Sequence, residues 1–447
     1  MNMQTDSHPA AGEELLPEGF RALWAEVHRQ LPGHDDPAAA AQRAAAFAAA
    51  DSLGLPNRRV EDWKFTSSHP LARIVPQVAA PDADMGDWTD RLAGWPLDGA
   101  AVLALLDGAW CPDLGRGALP DGVSLTRLSQ APAGLAELLK PLPGGAEATV
   151  PNLVQAFAGE GLLIEVAAGA APAQPLVVLH LSSGAVPVHH LRHRLRLGEG
   201  AALTVVELHL SAADRSCWTN LLTDVELAPQ ARLSHLRIGG GKGHALRTAF
   251  LRGRLSAAAA YEGTAIALGG DLVRDEIDIR LAGEGASCRL DGLNLAAGRD
   301  HLDSTLRVAH DAAHCSSNQH YRAVANDHGH AVFQGRIAVA PGAQKSDAHQ
   351  LHRALLLSDE AVADAKPELE ILADDVACSH GASIGDLDED ALFYLRARGI
   401  GAGAARNLLI DAFAAEIVEG IADPAWRAAA GDSLQRRLHR MVETSDE

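Results

Sequence analysis

Aromatic side chains are scarce: Phe, Trp and Tyr together make up 4% of the 447 residues, against 42 glycines and an alanine-rich hydrophobic fraction of 47%. The core must then be filled by small and branched aliphatic side chains, which suits closely stacked layers better than one bulky globule. Cysteine is equally sparse. Cys111, Cys217, Cys288, Cys315 and Cys378 form an odd, scattered set without a Cys-x-x-Cys. That pattern argues against a disulfide framework and against a self-contained four-thiolate zinc or iron–sulfur centre. Positive charge is in deficit, with 38 Lys+Arg against 58 Asp+Glu and a net charge of −20. This speaks against binding to a nucleic acid backbone or to an anionic membrane surface. The longest strongly apolar run, 100–106, stops at Asp107, far short of the ~20 residues needed to cross a bilayer. The N-terminal stretch Met1-Asn2-Met3-Gln4-Thr5-Asp6-Ser7-His8 has neither a basic nor an apolar region of a secretory signal. The expectation is a soluble, reduced, cytoplasmic protein.

Nucleotide motifs are missing as well. The glycine-rich run Ile238-Gly239-Gly240-Gly241-Lys242-Gly243 lacks the G-x-x-x-x-G-K-[ST] spacing that cradles phosphates and places a hydroxyl on magnesium. It is expected to be a loop between two structural repeats. No G-x-G-x-x-G opens a helix after a strand, and no G-x-S-x-G elbow is present. The chain is therefore expected to carry no ATP site.

What is present divides the chain in three. Phe20, Leu23, Trp24, Val27 and Leu31 share one helix face, and Asp36 before Pro37 is a helix start signal. At the other end Asp388 can cap a helix carrying Leu392 and Leu395. Leu409, Phe413, Ile417 and Ile421 predict one buried helix face, and Leu434, Leu438, Met441 and Val442 another. Between them, strand ends followed by small turns recur at Val166, Leu197, Leu227, Leu255, Leu281, Val308 and Val339. A near-constant step of this kind is the mark of a solenoid of stacked coils, with an antiparallel sandwich as the alternative. We therefore expect a mainly β chain: an N-terminal helical and α/β region over 1–150, a parallel β-helix over 151–377 and a helical domain over 378–447.

Histidine is over-supplied, with 21 copies. The groups His189/His190/His193, His310/His314/Cys315/His320, His328/His330 and His349/His352 offer ligand types that zinc or iron accept, although most are expected to be solvated or interfacial. More pointed is Asp374-Asp375-Val376-Ala377-Cys378-Ser379-His380-Gly381. On an extended chain residues two apart lie on one face. Cys378 and His380 can then pair as an activated thiolate, or give two ligands to iron.

The run Lys366-Pro367-Glu368-Leu369-Glu370-Ile371-Leu372-Ala373-Asp374-Asp375-Val376-Ala377-Cys378-Ser379-His380-Gly381-Ala382 resembles the SufB/SufD family of iron–sulfur cluster assembly proteins. The likeness continues through Leu387-Asp388-Glu389 and Leu392-Phe393-Tyr394-Leu395-Arg396-Ala397-Arg398-Gly399-Ile400. Upstream it includes His301-Leu302-Asp303, His310, Cys315-Ser316-Ser317, Val332-Phe333-Gln334-Gly335 and Arg59-Val60-Glu61-Asp62-Trp63-Lys64-Phe65-Thr66. Cys-Ser-His-Gly at 378–381 is similar to the SufD branch. Gln350-Leu351-His352 departs from an asparagine-rich stretch common in the family. The resemblance implies a right-handed parallel β-helix between helical ends. It also implies a non-enzymatic scaffold that works with SufB and the ATPase SufC, with a role in iron acquisition. Cys378 and His380 would meet SufB at the β-helix end and hold iron or a nascent cluster, and the helices after 388 would dock SufC. A flavin in the complex and a homodimer of the isolated chain belong to the same set of expectations. Rival readings are a stand-alone histidine-site metalloprotein and a β-helix carbohydrate-active enzyme.

Overall fold

The computed structural model describes residues 16–77, 88–212, 216–241 and 245–443. Two long sheets face each other. One has ten strands and the other nine, and within each the central neighbours are every second strand in sequence. All pairings between Leu162 and Gly385 are parallel. Each coil thus gives one strand to each sheet, as a β-solenoid requires.

The strand ends read from the sequence all belong to the nine-stranded sheet. Val166, Leu197, Leu227, Leu255 and Leu281 stand in one register column, which continues through His310, Val339 and Ile371. The expected Val308 is two residues short. The apolar column is interrupted there by His310, which is buried and held between the hydroxyls of Ser317 and Ser346, at 2.9 and 3.2 Å. With His310 in its place, the steps on either side are both 29 residues.

The turn after these strands repeats for a physical reason. One residue of each turn sits in the left-handed region, at Gly169, Gly200, Gln230, Ala258, Gly285, His314 and Lys345. In each case its N–H donates to a carbonyl in the next coil's turn, as from Gly200 to Pro229 or His314 to Gln344. The following residue fills the corner and must be small: Ala201, Ala231, Ala259, Ala286, Cys315 and Ser346 are buried there. Between the sheets lies an aliphatic stack that includes Leu195, Val225, Leu251, Ile279 and Val308.

The outer faces are also covered. The N-terminal helices Glu18–Val27 and Pro37–Leu53 and the helix Thr149–Phe157 contribute Phe20, Ala46, Leu153 and Phe157 to a core shared with Trp218, Leu222, Phe250 and Leu272 of the nine-stranded sheet. Asp36 caps the second helix as expected, accepting from the Ala38 N–H. The C-terminal helices Ala402–Glu419 and Pro424–Glu443 lie over Val206, Leu208, Ile238 and Leu293 of the ten-stranded sheet. Here the buried face is Ile410, Ala414, Ile417, Val418 and Ile421, together with Trp426, Leu434, Leu438 and Met441. Leu409 and Phe413, expected inside, are only half-buried. Phe413 instead lies under the Arg322 guanidinium, 4.7 Å from its ring. The side chain of Val442 lies outside the described residues.

The sheets extend beyond 151–377 at both ends. The apolar run Ala101–Leu106 is a parallel strand of the ten-stranded sheet, and Ala377–Gly385 is its last strand. The glycine-rich run is also placed differently: Ile238–Gly241 ends the strand Arg232–Gly241, while Lys242 and Gly243 lie outside the described residues. Among the described residues no helix is long and apolar enough to cross a membrane.

Candidate functional site

Cys378 and His380 stand on the strand Ala377–Gly385, which pairs on one side with Asp347–Leu356 and is the free edge of the ten-stranded sheet. The register sets Cys378 beside Ala348, His380 beside Gln350 and Ala382 beside His352. Ala348, Gln350 and His352 are all buried, so this alternation turns Cys378 and His380 toward the space between the sheets. Cys378 is half-buried against Ile337, Val339, Ala343 and Ala373. His380, with no further coil above it, is exposed. Below it the Gln350 amide donates to the Gln319 carbonyl oxygen at 2.6 Å, so the polar column survives the departure from asparagine. Gly335 makes room for that amide, since a Cβ there would lie 1.9 Å from Gln350 Nε2.

Burial, and after it the nearby Asp347 carboxylate, pushes the Cys378 thiol up from its ordinary value. It is therefore a protonated thiol at neutral pH, not an activated nucleophile, and a metal would have to displace that proton to bind it. Among the described residues, no third His, Cys, Asp or Glu completes a ligand group with this pair.

The surrounding surface is apolar for an exposed one. Val362, Ile371 and Ile384 are exposed on the two last strands, and Leu372, beside them, is 60% exposed. Asp388 caps the next helix, Glu389–Ala397, by accepting from the N–H groups of Asp390 and Ala391. That helix buries none of its residues and leaves Phe393 72% and Tyr394 56% exposed.

The other histidine groups resolve differently from the expectation of solvated side chains. His189, His190, His193, His310 and His352 are buried. His310, His314 and Cys315 do not converge: His310 points inward, His314 is exposed in a turn and Cys315 fills a corner with its Sγ 3.3 Å from the Gly283 carbonyl. His330 pairs with Asp364 at 2.8 Å, and His349 with Asp347 at 2.7 Å. Residues not singled out in the sequence, His180, Glu207, His209 and His235, meet inside the solenoid.

The two remote motifs that carried the resemblance meet in space. Trp63 is fully buried beneath the Arg274 guanidinium, 4.4 Å from its ring. Arg274 in turn pairs with Asp303 and with Glu276. The Thr66 hydroxyl bonds Asp303 and lies 2.8 Å from His301 Nε2, Asp62 pairs with Arg307 at 2.5 Å, and Glu61 pairs with Lys366. These residues clamp the N-terminal region onto the strands Leu272–Leu281, His301–His310 and Val362–Ile371 of the nine-stranded sheet.

Comparison with known proteins bears on this arrangement. Residues 180–413 match the family model described as SUF system FeS cluster assembly, SufBD core domain. The iron–sulfur cluster assembly protein SufD of Escherichia coli (strain K12) is 32% identical over 390 residues, covering 86% of this chain and 90% of that protein. The chain belongs to the SufBD family. Another member, an iron–sulfur cluster assembly SufBD family protein of Synechocystis sp., is 30% identical over 415 residues, covering 88% of this chain and 89% of its own length. A chloroplastic protein of Arabidopsis thaliana, ABCI7, is 29% identical over 384 residues. For a SufBD protein, the core match begins at the strand holding His180 and ends within the helix over the ten-stranded sheet. Cys378 and His380 fall inside it.

Proposed function

We propose that the open end of the solenoid is half of an iron–sulfur cluster assembly site, and that this chain is a non-enzymatic scaffold acting as a SufD. Cys378 and His380 supply one thiolate and one imidazole to iron or to the nascent cluster, which is cargo rather than a resident group. SufB supplies the remaining donors by pairing through the same end. The observation that carries this reading is the register: the free-edge strand turns both side chains to one face, next to exposed apolar residues and unpaired backbone. A thiol and an imidazole suit iron in its borderline-soft states, and two donors leave most of its coordination for a partner. SufC, the source of ATP hydrolysis, docks on the exposed face of the C-terminal helices, where Phe393, Tyr394 and Leu408 are uncovered.

The test is co-expression of the His380→Ala chain with SufB and SufC, followed by iron and sulfide analysis of the purified complex. His380 is exposed, so its loss leaves folding and assembly intact on size-exclusion chromatography, and cluster content falls severalfold. Cys378→Ala has a milder effect if SufB provides the main thiolate. Wild-type cluster content in an intact His380→Ala complex removes the ligand role. Loss of the complex itself makes the residue a packing contact.

A further inference from the structure

The interior of the solenoid holds a second set of ligand-type side chains, remote in register from the terminal strand. His180 and His209 are register partners on neighbouring strands, and their rings are stacked with centroids 4.4 Å apart and planes inclined by 6°. Glu207 precedes His209 by two residues and shares its inward face. Its Oε2 lies 3.1 Å from His209 Nε2 and 3.6 Å from His180 Nε2. Its Oε1 lies 3.1 Å from His235 Nε2, and the other nitrogen of His235 is 3.1 Å from the Tyr261 hydroxyl. All five residues are buried.

Hydrogen bonding does not account for the whole group. His209 and His235 can each donate one N–H to the carboxylate. His180 then has no partner within hydrogen-bond distance at either ring nitrogen, and His209 Nδ1 has none either. Buried polar groups in native interiors are rarely left so. The strands could have carried leucine or valine here, as their neighbours Val178 and Val205 do.

We propose that His180, Glu207 and His209 bind a divalent first-row metal ion, of the class of Fe²⁺ or Zn²⁺, inside the solenoid. Their ligand atoms all lie within 4.8 Å of one another. Two donors about 2.1 Å from a tetrahedral ion sit about 3.4 Å apart, and the 3.1 and 3.6 Å separations bracket that value. Two imidazoles and one carboxylate are a donor set that both ions accept with a position left open. His235, anchored by Tyr261, holds the second carboxylate oxygen and so orients the ligand. The positive charge of nearby Arg247 is offset by Asp275, 3.0 Å away. Gly239, in register with His209, leaves room for that guanidinium, which a Cβ would approach to 2.6 Å. A small cavity of about 40 Å³, lined by His180, His209, Cys217 and Arg247 among others, adjoins the two imidazoles.

The site stands independently of the terminal Cys378–His380 pair, and the experiment separates the two. The full-length chain carrying Cys378→Ser and His380→Ala is stripped with a chelator and titrated with Co²⁺ alone, with bound cobalt read by elemental analysis and by visible d–d absorption. One equivalent binds, without a thiolate-to-cobalt charge-transfer band, and Zn²⁺ or anaerobic Fe²⁺ displaces it. Adding Glu207→Gln or His209→Gln weakens binding at least about tenfold, the effect that loss of an orienting partner alone already produces. Folding of each variant is checked by circular dichroism. No stoichiometric cobalt in the parent chain, or unchanged affinity in a folded variant, overturns the proposal. Where the variants do not fold, the parent spectrum decides, because a thiolate band places the metal at a cysteine instead.

Discussion

At the scale of single residues, the buried histidines couple stability to pH. Burial holds His189, His310 and His352 down at about 4, and His190, His193 and His301 at about 3. Once unfolded, each returns to near 6.5 and takes up a proton that the folded state refuses. Between pH 6.5 and 4 the unfolded chain thus binds more protons, so stability falls as pH falls, by up to about 1.4 kcal/mol per pH unit for each group. His310 isolates one such contribution, because its register neighbours are Leu281 and Val339. His310→Leu restores the apolar column at the cost of leaving the Ser317 hydroxyl unpaired, while Ser346 keeps its bond to the Ala343 carbonyl. The expected outcome is stability within about 1 kcal/mol of wild type near neutrality and a shallower loss on acidification. Urea unfolding at about pH 7.5 and about pH 5 checks it. Parallel loss in the two proteins means that His310 is not a titrating group of the folding equilibrium.

At the scale of elements, the C-terminal helices divide their work. Ala402–Glu419 and Pro424–Glu443 cover the apolar outer face of the ten-stranded sheet, so removing 388–447 uncovers Val206, Leu208, Leu236, Ile238 and Leu293. Such a truncation is expected to aggregate rather than leave a stable β-helix. The question of ATPase docking therefore belongs to the helix Glu389–Ala397, whose residues are all unburied. Phe393→Asp with Tyr394→Asp should leave the thermal transition within a few degrees of wild type, since surface changes seldom exceed about 0.5 kcal/mol. The same pair should abolish SufC pull-down, and retained SufC would put the docking surface elsewhere.

The element scale also explains what the sequence reveals. The corner after each strand of the nine-stranded sheet needs a left-handed residue followed by a small one, so its Gly/Ala pattern repeats visibly. The opposite corner is turned by connections of changing composition, such as 183–187, 268–271 and 357–361, and the second strand of each coil goes unmarked. Alternation fails there too, because helices cover the outer faces and both phases of a strand such as Ala202–Ser211 are apolar. Cys378 and His380 are legible because both lie in one short run. His180, Glu207 and His235 are joined only by the 26–32 residue coil, so no local spacing announces them.

At the scale of the whole molecule, the two ends of the solenoid are treated differently. Near its start the strand Val123–Arg127 closes the nine-stranded sheet by antiparallel pairing, and the short strand Ala109–Trp110 closes the other. At the far end the strands Val362–Ile371 and Ala377–Gly385 are both free edges, with Leu372, Val362 and Ile371 exposed on or beside them. Free, flat edges with apolar side chains invite pairing with another chain unless a charge blocks it. Leu372 makes few demands on its own chain, so Leu372→Lys with Val362→Lys should leave the melting temperature nearly unchanged. Both lysines project where a partner's strands must approach, and burying them unpaired is costly. We expect at least about tenfold weaker association with SufB, or about 1.4 kcal/mol, and the same loss in any self-association of the isolated chain. Sedimentation velocity of the variant alone and with SufB measures both. Undiminished pairing by a folded double-lysine chain means that the partner meets another face, and the terminal Cys378–His380 pair then has no neighbour to complete its ligand shell.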